Sequence, residues 1–129
     1  MIADVINELE TSVFYFKLNQ ERDGEATALA NEDIRKAIAK GFNKEELADA
    51  VLANGSIAAN FLVPTEFTFD EDGKDFREYS DDYALYNVEE AQKHWDKGLK
   101  ALGTDKLTIE ILGGDTENAK QQQEWLKSE

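Results

Sequence analysis

Four places in this 129-residue sequence gather groups that could do chemistry. The first is Asp70-Glu71-Asp72-Gly73-Lys74-Asp75, which invites a calcium reading. A calcium loop of the EF-hand kind has glycine at its sixth position, oxygens at alternate places before it and a bidentate glutamate at its twelfth. With Gly73 as the sixth residue the early ligands are Thr68, Asp70 and Asp72, and the twelfth position falls on Tyr79, one past Glu78. Thr68 is a poor first ligand, so a solvated Asp-Gly turn accounts better for the run. The second place is His94, the sole histidine, beside Trp95. It has no serine or cysteine partner in a recognisable motif and no second histidine for a zinc pair. It reads as a residue of a helix surface or boundary. The third is the pairs Glu45-Glu46 and Glu89-Glu90, which resemble acid/base couples. Both open helical stretches, where acidic residues stabilise the helix dipole. The fourth is Gly113-Gly114-Asp115, after an apolar alternating stretch and before a helical one. Backbone amides at such a turn can hold an anion or a carbonyl. The turn lacks the GxGxxG and P-loop patterns, and from the residues alone a plain strand-to-helix connection accounts for it better.

The elements that must position these groups follow from periodicity. Thr11–Asn19, TSVFYFKLN, alternates as a strand, with Phe14, Phe16 and Leu18 toward a core and Val13, Tyr15 and Lys17 on the other face. Gln20–Ala30 reads as a polar loop containing Gly24. Asn31–Gly55 is the most patterned stretch: two capped helices end to end. Asn31 caps the first, with Glu32 and Asp33 in its first turn. Ile34, Ala37, Ile38, Gly41 and Phe42 form one apolar stripe, Lys36 can pair with Glu32, and Gly41 predicts a bend or end. Asn43 caps the second helix with Glu46 in a capping-box position; Leu47, Val51 and Leu52 face inward; Asn54-Gly55 stops it, with Gly55 suited to a left-handed backbone.

Periodicity disappears from Ser56 to Tyr86. There Phe67, Phe69, Phe76, Tyr79, Tyr83 and Tyr86 interleave with a dense acidic run, so the aromatics are expected to pin a long loop whose carboxylates stay wet. Asn87 caps a third helix with Glu90 at the capping-box position; Val88, Ala91, Trp95, Leu99 and Leu102 form its apolar face, and Gly103 ends it. Leu107–Leu112 reads as a strand with Leu107, Ile109 and Ile111 on one side. After the Gly113–Asp115 turn, Asp115 or Thr116 caps a last helix running through Trp125 and Leu126 to Glu129. That helix has no C-cap, and the sequence reads as a piece of a longer chain. The strand–helix alternation predicts one mixed α/β (α+β) domain over residues 1–129, a small sheet packed by about four helices.

Composition narrows the function classes. Twenty-eight acidic residues against 14 basic give a net charge of −14, which repels nucleic-acid phosphates and anionic lipid. There is no cysteine, hence no disulfide, thiol nucleophile or Cys-based metal site. No stretch of about 18 apolar residues is present to span a bilayer, and the first ten residues have neither the basic nor the apolar region of a signal peptide. No nucleophile–base or metal constellation supports a hydrolase, and nothing calls for a cofactor.

Five segments in order carry a resemblance: VFYFKLN, then NEDIRKAIAKGFNKEELADAVLANG, FLVP, YALYNVEEAQKHWDKGLKALG and LTIEILGGDTENAKQQQEWL. Together the chain resembles the oligopeptide-binding proteins of ABC importers, the family 5 extracellular solute-binding proteins. The resemblance implies a parent of two lobes that closes on an extended peptide, this chain being part of the C-terminal lobe of that periplasmic-binding-protein-like fold. It implies an oligopeptide ligand, a membrane permease as partner, an extracytoplasmic location (a Gram-positive surface lipoprotein or a Gram-negative periplasmic protein) and no enzyme activity. It also implies ligand contact at Lys17 and at the turn Gly113, Gly114, Asp115, Thr116, Glu117 and Asn118, where some relatives carry bulky or basic residues. Two other readings stay open: capture of a different solute (a signalling peptide, a dipeptide or a metal chelate), and an acidic protein-interaction module built on Phe61–Tyr86.

Overall fold

The computed structural model describes residue 6 and residues 8–129. The signal-peptide reading of the N-terminus falls largely on Met1–Val5 and Asn7, outside that set. The structure is a mixed α/β arrangement with a small two-stranded sheet and four helices. The strands are β1 (Glu21–Arg22) and β2 (Glu25–Ala26); the helices are α1 (Glu32–Gly41), α2 (Lys44–Glu46, continuing as a wider π turn over Leu47–Leu52), α3 (Val88–Leu102) and α4 (Glu117–Ser128). Short 3-10 turns lie at Ala28–Ala30 and Phe76–Tyr79.

Side-chain capping sets the helix starts. Asn31 accepts from the Ile34 amide at 3.1 Å, Asn43 from Glu46 at 3.2 Å, Asn87 from Glu90 at 3.0 Å and Thr116 from Ala119 at 3.2 Å. Each satisfies an amide that the first helical turn leaves without a partner. Of the two candidates for the last cap, Thr116 holds the position. Gly41 closes α1, and Phe42 beyond it is extended. Gly103 closes α3 at φ 69°, and the Thr104 amide reaches back to Leu99 O at 3.1 Å. The stop of α2 falls earlier than expected: Ala53, not Gly55, is the first left-handed residue, at φ 47°. The π turn is the reason. It carries the Ala53 amide back to Ala48 O at 3.0 Å, so the helix ends one residue past Leu52.

The core lies between α1 and α3. Ile34 is fully buried, and Ala37, Phe42, Ala48, Ala91 and Leu99 are buried. Gly98 permits the close approach: a Cβ there would stand 2.5 Å from Ile34 Cδ1. Polar ties flank the contact. Lys40 pairs with Glu90 at 3.0 Å, and the Asn87 amide donates to Lys40 O at 2.9 Å. Val88 and Leu102, expected on the apolar face, are exposed.

The sheet is not where alternation placed it. Thr11–Asn19 and Leu107–Leu112 form no ladder among the described residues, and Phe14, Phe16, Ile109 and Ile111 are exposed. Alternation specifies a two-faced strand, yet a strand exists only through a partner's N–H and C=O groups, and neither segment meets one among the described residues. The actual hairpin sits in the stretch read as a polar loop. Its turn residues Asp23 and Gly24 both have positive φ, the signature of a tight hairpin that Asp-Gly favours. Arg22 of β1 reaches Glu110 at 3.4 Å, tying the hairpin to the second of these segments.

Candidate functional site

The residues that the resemblance links to ligand contact stand on Thr11–Asn19 and on the turn before α4. Lys17 is exposed, and so are Gly113, Gly114, Asp115, Thr116, Glu117 and Asn118. The turn is held from α4. Gln123 Nε2 donates to Gly114 O at 3.0 Å, and its amide lies across Gly113, where a Cβ would stand 2.2 Å from Nε2. Ala119 Cβ stands 3.5 Å from the position a Gly114 Cβ would take. Gly113 therefore leaves the room that the Gln123 amide takes, while at Gly114 the approach of α4 is an ordinary contact. Thr116 is committed to capping, which leaves the neighbouring side chains Asp115 and Asn118 outward. Among the described residues Lys17 forms no ion pair with Asp115 or Glu117.

Phe42 is the joint between these pieces. Its ring meets Phe16 edge-on at 5.6 Å and Trp125 at 6.4 Å, so one buried aromatic holds Thr11–Asn19, the α1–α2 junction and α4. Lys44 Nζ lies 4.5 Å from the same ring centroid and donates to Ala39 O and Ala84 O, both at 2.6 Å. Burial, with a smaller push from Lys40, holds this lysine below the ordinary lysine range. Arg35 works similarly upstream, donating to Leu29 O at 3.0 Å and Ala30 O at 2.7 Å. Neither cation stood out in the sequence, because their partners are backbone carbonyls, which carry no residue-type signal.

The other motifs resolve into structure. His94 Nδ1 lies 2.8 Å from Asp33 Oδ1; an ionised carboxylate only accepts, so Nδ1 carries the proton. Lys97 reaches the same carboxylate at 3.1 Å. The hydrogen bond from His94, then that from Lys97, holds Asp33 below the usual aspartate range. Glu90 serves Lys40, and Glu89 pairs with Lys93 at 2.7 Å. Asp70 accepts from the amides of Asp72 and Lys74, each at 2.9 Å, and from the Tyr79 hydroxyl. Asp75 accepts from the amides of Glu66 and Arg77 at 2.8 and 3.1 Å. Both carboxylates are spent on folding their own loop. Arg77 stacks on the Phe61 ring at 3.7 Å and Lys74 on Tyr79 at 4.0 Å, so this long loop is internally stitched.

A mixed α/β layer of this order matches one lobe of OppA-like binding proteins. The chain superposes on Listeria monocytogenes OppA bound to peptide with a TM-score of 0.84 and 46% identity, covering 87% of this chain and 22% of that one. It superposes on the substrate-binding domain of an oligopeptide ABC transporter from Bacillus anthracis str. Ames with a TM-score of 0.79 and 38% identity, over 86% and 21%. In sequence it is 37% identical to a dipeptide-binding protein of Lactococcus lactis subsp. cremoris (strain MG1363) over 65% of this chain and 15% of that protein. It is 32% identical to the dipeptide-binding protein DppE of Bacillus subtilis (strain 168) over 81% of this chain and 18% of that protein. The model of the bacterial extracellular solute-binding proteins, family 5 (Middle), matches residues 2–129, and the chain belongs to that family. It spans less than a fifth of the curated relatives' length, as the 15% and 18% coverages state.

Proposed function

We propose that this chain is part of the C-terminal lobe of an extracytoplasmic peptide-binding component of an ABC importer. The likeness to a peptide-bound OppA, with 46% identity over 87% of the chain, carries the reading. The parent captures an oligopeptide between its lobes and presents it to a membrane permease. Its location is the cell surface, through a lipid anchor, or the periplasm. Lys17 and the turn of Gly113, Gly114, Asp115, Thr116 and Asn118 contribute this lobe's share of the cleft. The turn offers backbone amides and carbonyls to an extended main chain, a mode that tolerates many side chains. The work is done by binding energy spent on lobe closure, with no bond made or broken, so the parent is not an enzyme.

Dipeptide capture is the second reading, favoured by the two curated relatives that carry that description. Calorimetry on the full-length parent with mixed di-, tri- and pentapeptide libraries decides between them. Heat with the longer peptides supports the first reading and heat with dipeptides alone the second. No heat with any library overturns both. Lys17→Ala weakens whichever peptide binds; unchanged affinity removes that residue from the site.

A further inference from the structure

The two pieces that carry the candidate ligand contacts are not hydrogen-bonded to the α1–α3 body. Among the described residues, the hydrogen bonds of residues 113–129 stay within that stretch. Gln123 Nε2 donates to Gly114 O, the Ala119 and Lys120 amides to Thr116, and Ser128 Oγ to Trp125 O, beside the ladder of α4 itself. Residues 8–18 make only the local bond from Ser12 to Glu10, and Thr27 Oγ1 donates to Asn19 O just beyond them. Packing must therefore place both pieces, and both pack on Phe42. The Phe16 ring meets it on one side and the Trp125 ring on another. α4 also lies along the π turn Leu47–Leu52, which follows from Phe42 through α2. Phe42 itself is firmly held. It stands between the last residue of α1 and the Asn43 cap of α2, so two helix ends fix its backbone. The Lys44 ammonium, pinned by Ala39 O and Ala84 O, lies over its ring.

We infer that Phe42 is a positioning residue for peptide binding, which sets both candidate contacts of this lobe from one buried point. It acts on Lys17 through Phe16, the residue before it, one Cα step of about 3.8 Å away. It acts on the turn through Trp125. That residue and Gln123 ride on one rigid helix, so the seat of Trp125 decides where Gln123 carries Gly114 O. Closely packed rings move together or not at all, which is how a buried residue transmits position to groups it does not touch. This role rests on the peptide-binding reading, because it needs Lys17 and the turn to meet the ligand.

The test is calorimetry on the full-length parent with dialanine, trialanine and pentaalanine, beside urea unfolding of the same variants. Phe42→Leu keeps an apolar side chain at the joint and removes both ring contacts. It is expected to weaken binding about threefold or more, as residues that act on a site without touching ligand do. Phe16→Leu and Trp125→Leu each cut one contact and are expected to give smaller losses in the same direction. Neither partner is fully buried, so these two decide the matter where Phe42→Leu fails to fold. Leu99→Val trims the buried α1–α3 core instead; it is expected to lower the urea midpoint and leave the affinity unchanged. Wild-type affinity in Phe42→Leu, or in both single-contact variants, overturns the role. Equal weakening by Leu99→Val overturns it too, since the effect is then lost stability alone. Lys17→Ala and Asp115→Ala/Asn118→Ala separate the two kinds of failure. If they weaken binding and Phe42→Leu does not, the site stands and the positioning role falls. If they leave the affinity unchanged, or no peptide gives heat, the site falls and takes the role with it.

Discussion

The α1–α3 pair and the segments Thr11–Asn19 and Leu107–Leu112 are built from similarly apolar sequence and end in opposite states. Ile34 is wholly buried; Phe14 is 94% exposed. A helix closes its own hydrogen bonds within a turn and needs a neighbour only for one stripe. An extended segment must find both its hydrogen bonds and its packing elsewhere in the chain. Asn31–Gly41 and Asn87–Gly103 are therefore complete as they stand. Thr11–Asn19 and Leu107–Leu112 form no ladder among the described residues. In this molecule order tracks how local the hydrogen bonding is, more than how hydrophobic the residues are.

The strongest way to break the contrast is Ile34→Ala. It empties the centre of the helix pair and is expected to cost about 3 kcal/mol in urea unfolding; a loss under about 1 kcal/mol would place the core elsewhere. Gly98→Ala comes next. Alanine gains about 1 kcal/mol of helix propensity over glycine, but its Cβ would stand 2.5 Å from Ile34 Cδ1. Overpacking of that kind costs about 1–3 kcal/mol, so the variant is expected to be less stable, and a more stable one would show that Ile34 yields freely.

Asp33→Asn probes the polar flank of the pair, read as a pH profile. The native carboxyl is held below its ordinary range, so the unfolded chain binds the proton first as pH falls. Asp33 therefore contributes stability above about pH 4, the ordinary aspartate value, and loses it as pH drops through the lowered native pKa. The variant is expected to flatten the acid limb of the urea midpoint between about pH 5 and 2, and an unchanged limb would detach Asp33 from the fold's acid response. The smallest effect belongs to the other region. Phe14→Ser and Leu112→Ser are expected to change stability by less than about 0.5 kcal/mol, because both side chains already face solvent. They are expected to reduce self-association in sedimentation velocity if these exposed segments are what bring copies together. Unfolding of either variant would show that the segments are already packed.

The helices were legible because their signals are local: Asn31, Asn43, Asn87 and Thr116 each announce a start within three residues. The hairpin was legible in principle too, since Asp23-Gly24 is a strong turn dipeptide, but no alternating apolar run flanks it. The strand partners were not legible, because residue alternation encodes two faces and says nothing of who pairs with them. His94 read correctly as a boundary residue, yet its partner Asp33 lies 61 positions away and only the fold brings them together. Of the candidate site, the Gly113–Asp115 turn could be seen from sequence as a turn; its assignment to ligand, like that of Lys17, came through family resemblance, since backbone recognition leaves no pattern in side-chain types.

The bond from Lys44 to Ala84 O has a topological consequence. Together with the Asn87 amide on Lys40 O, it fastens positions some forty residues apart at the neck of everything between them. The stretch from Glu45 to Tyr83 is thus a closed excursion whose two ends are clipped at the end of α1 and the start of α3. A cut within its exposed tip leaves two pieces that share one core, and added length there costs little, since closure entropy grows only with the logarithm of loop length. Within it, the aperiodic part beyond Gly55 is the one the fold can most readily lengthen, nick or exchange while the α1–α3 pair stays whole.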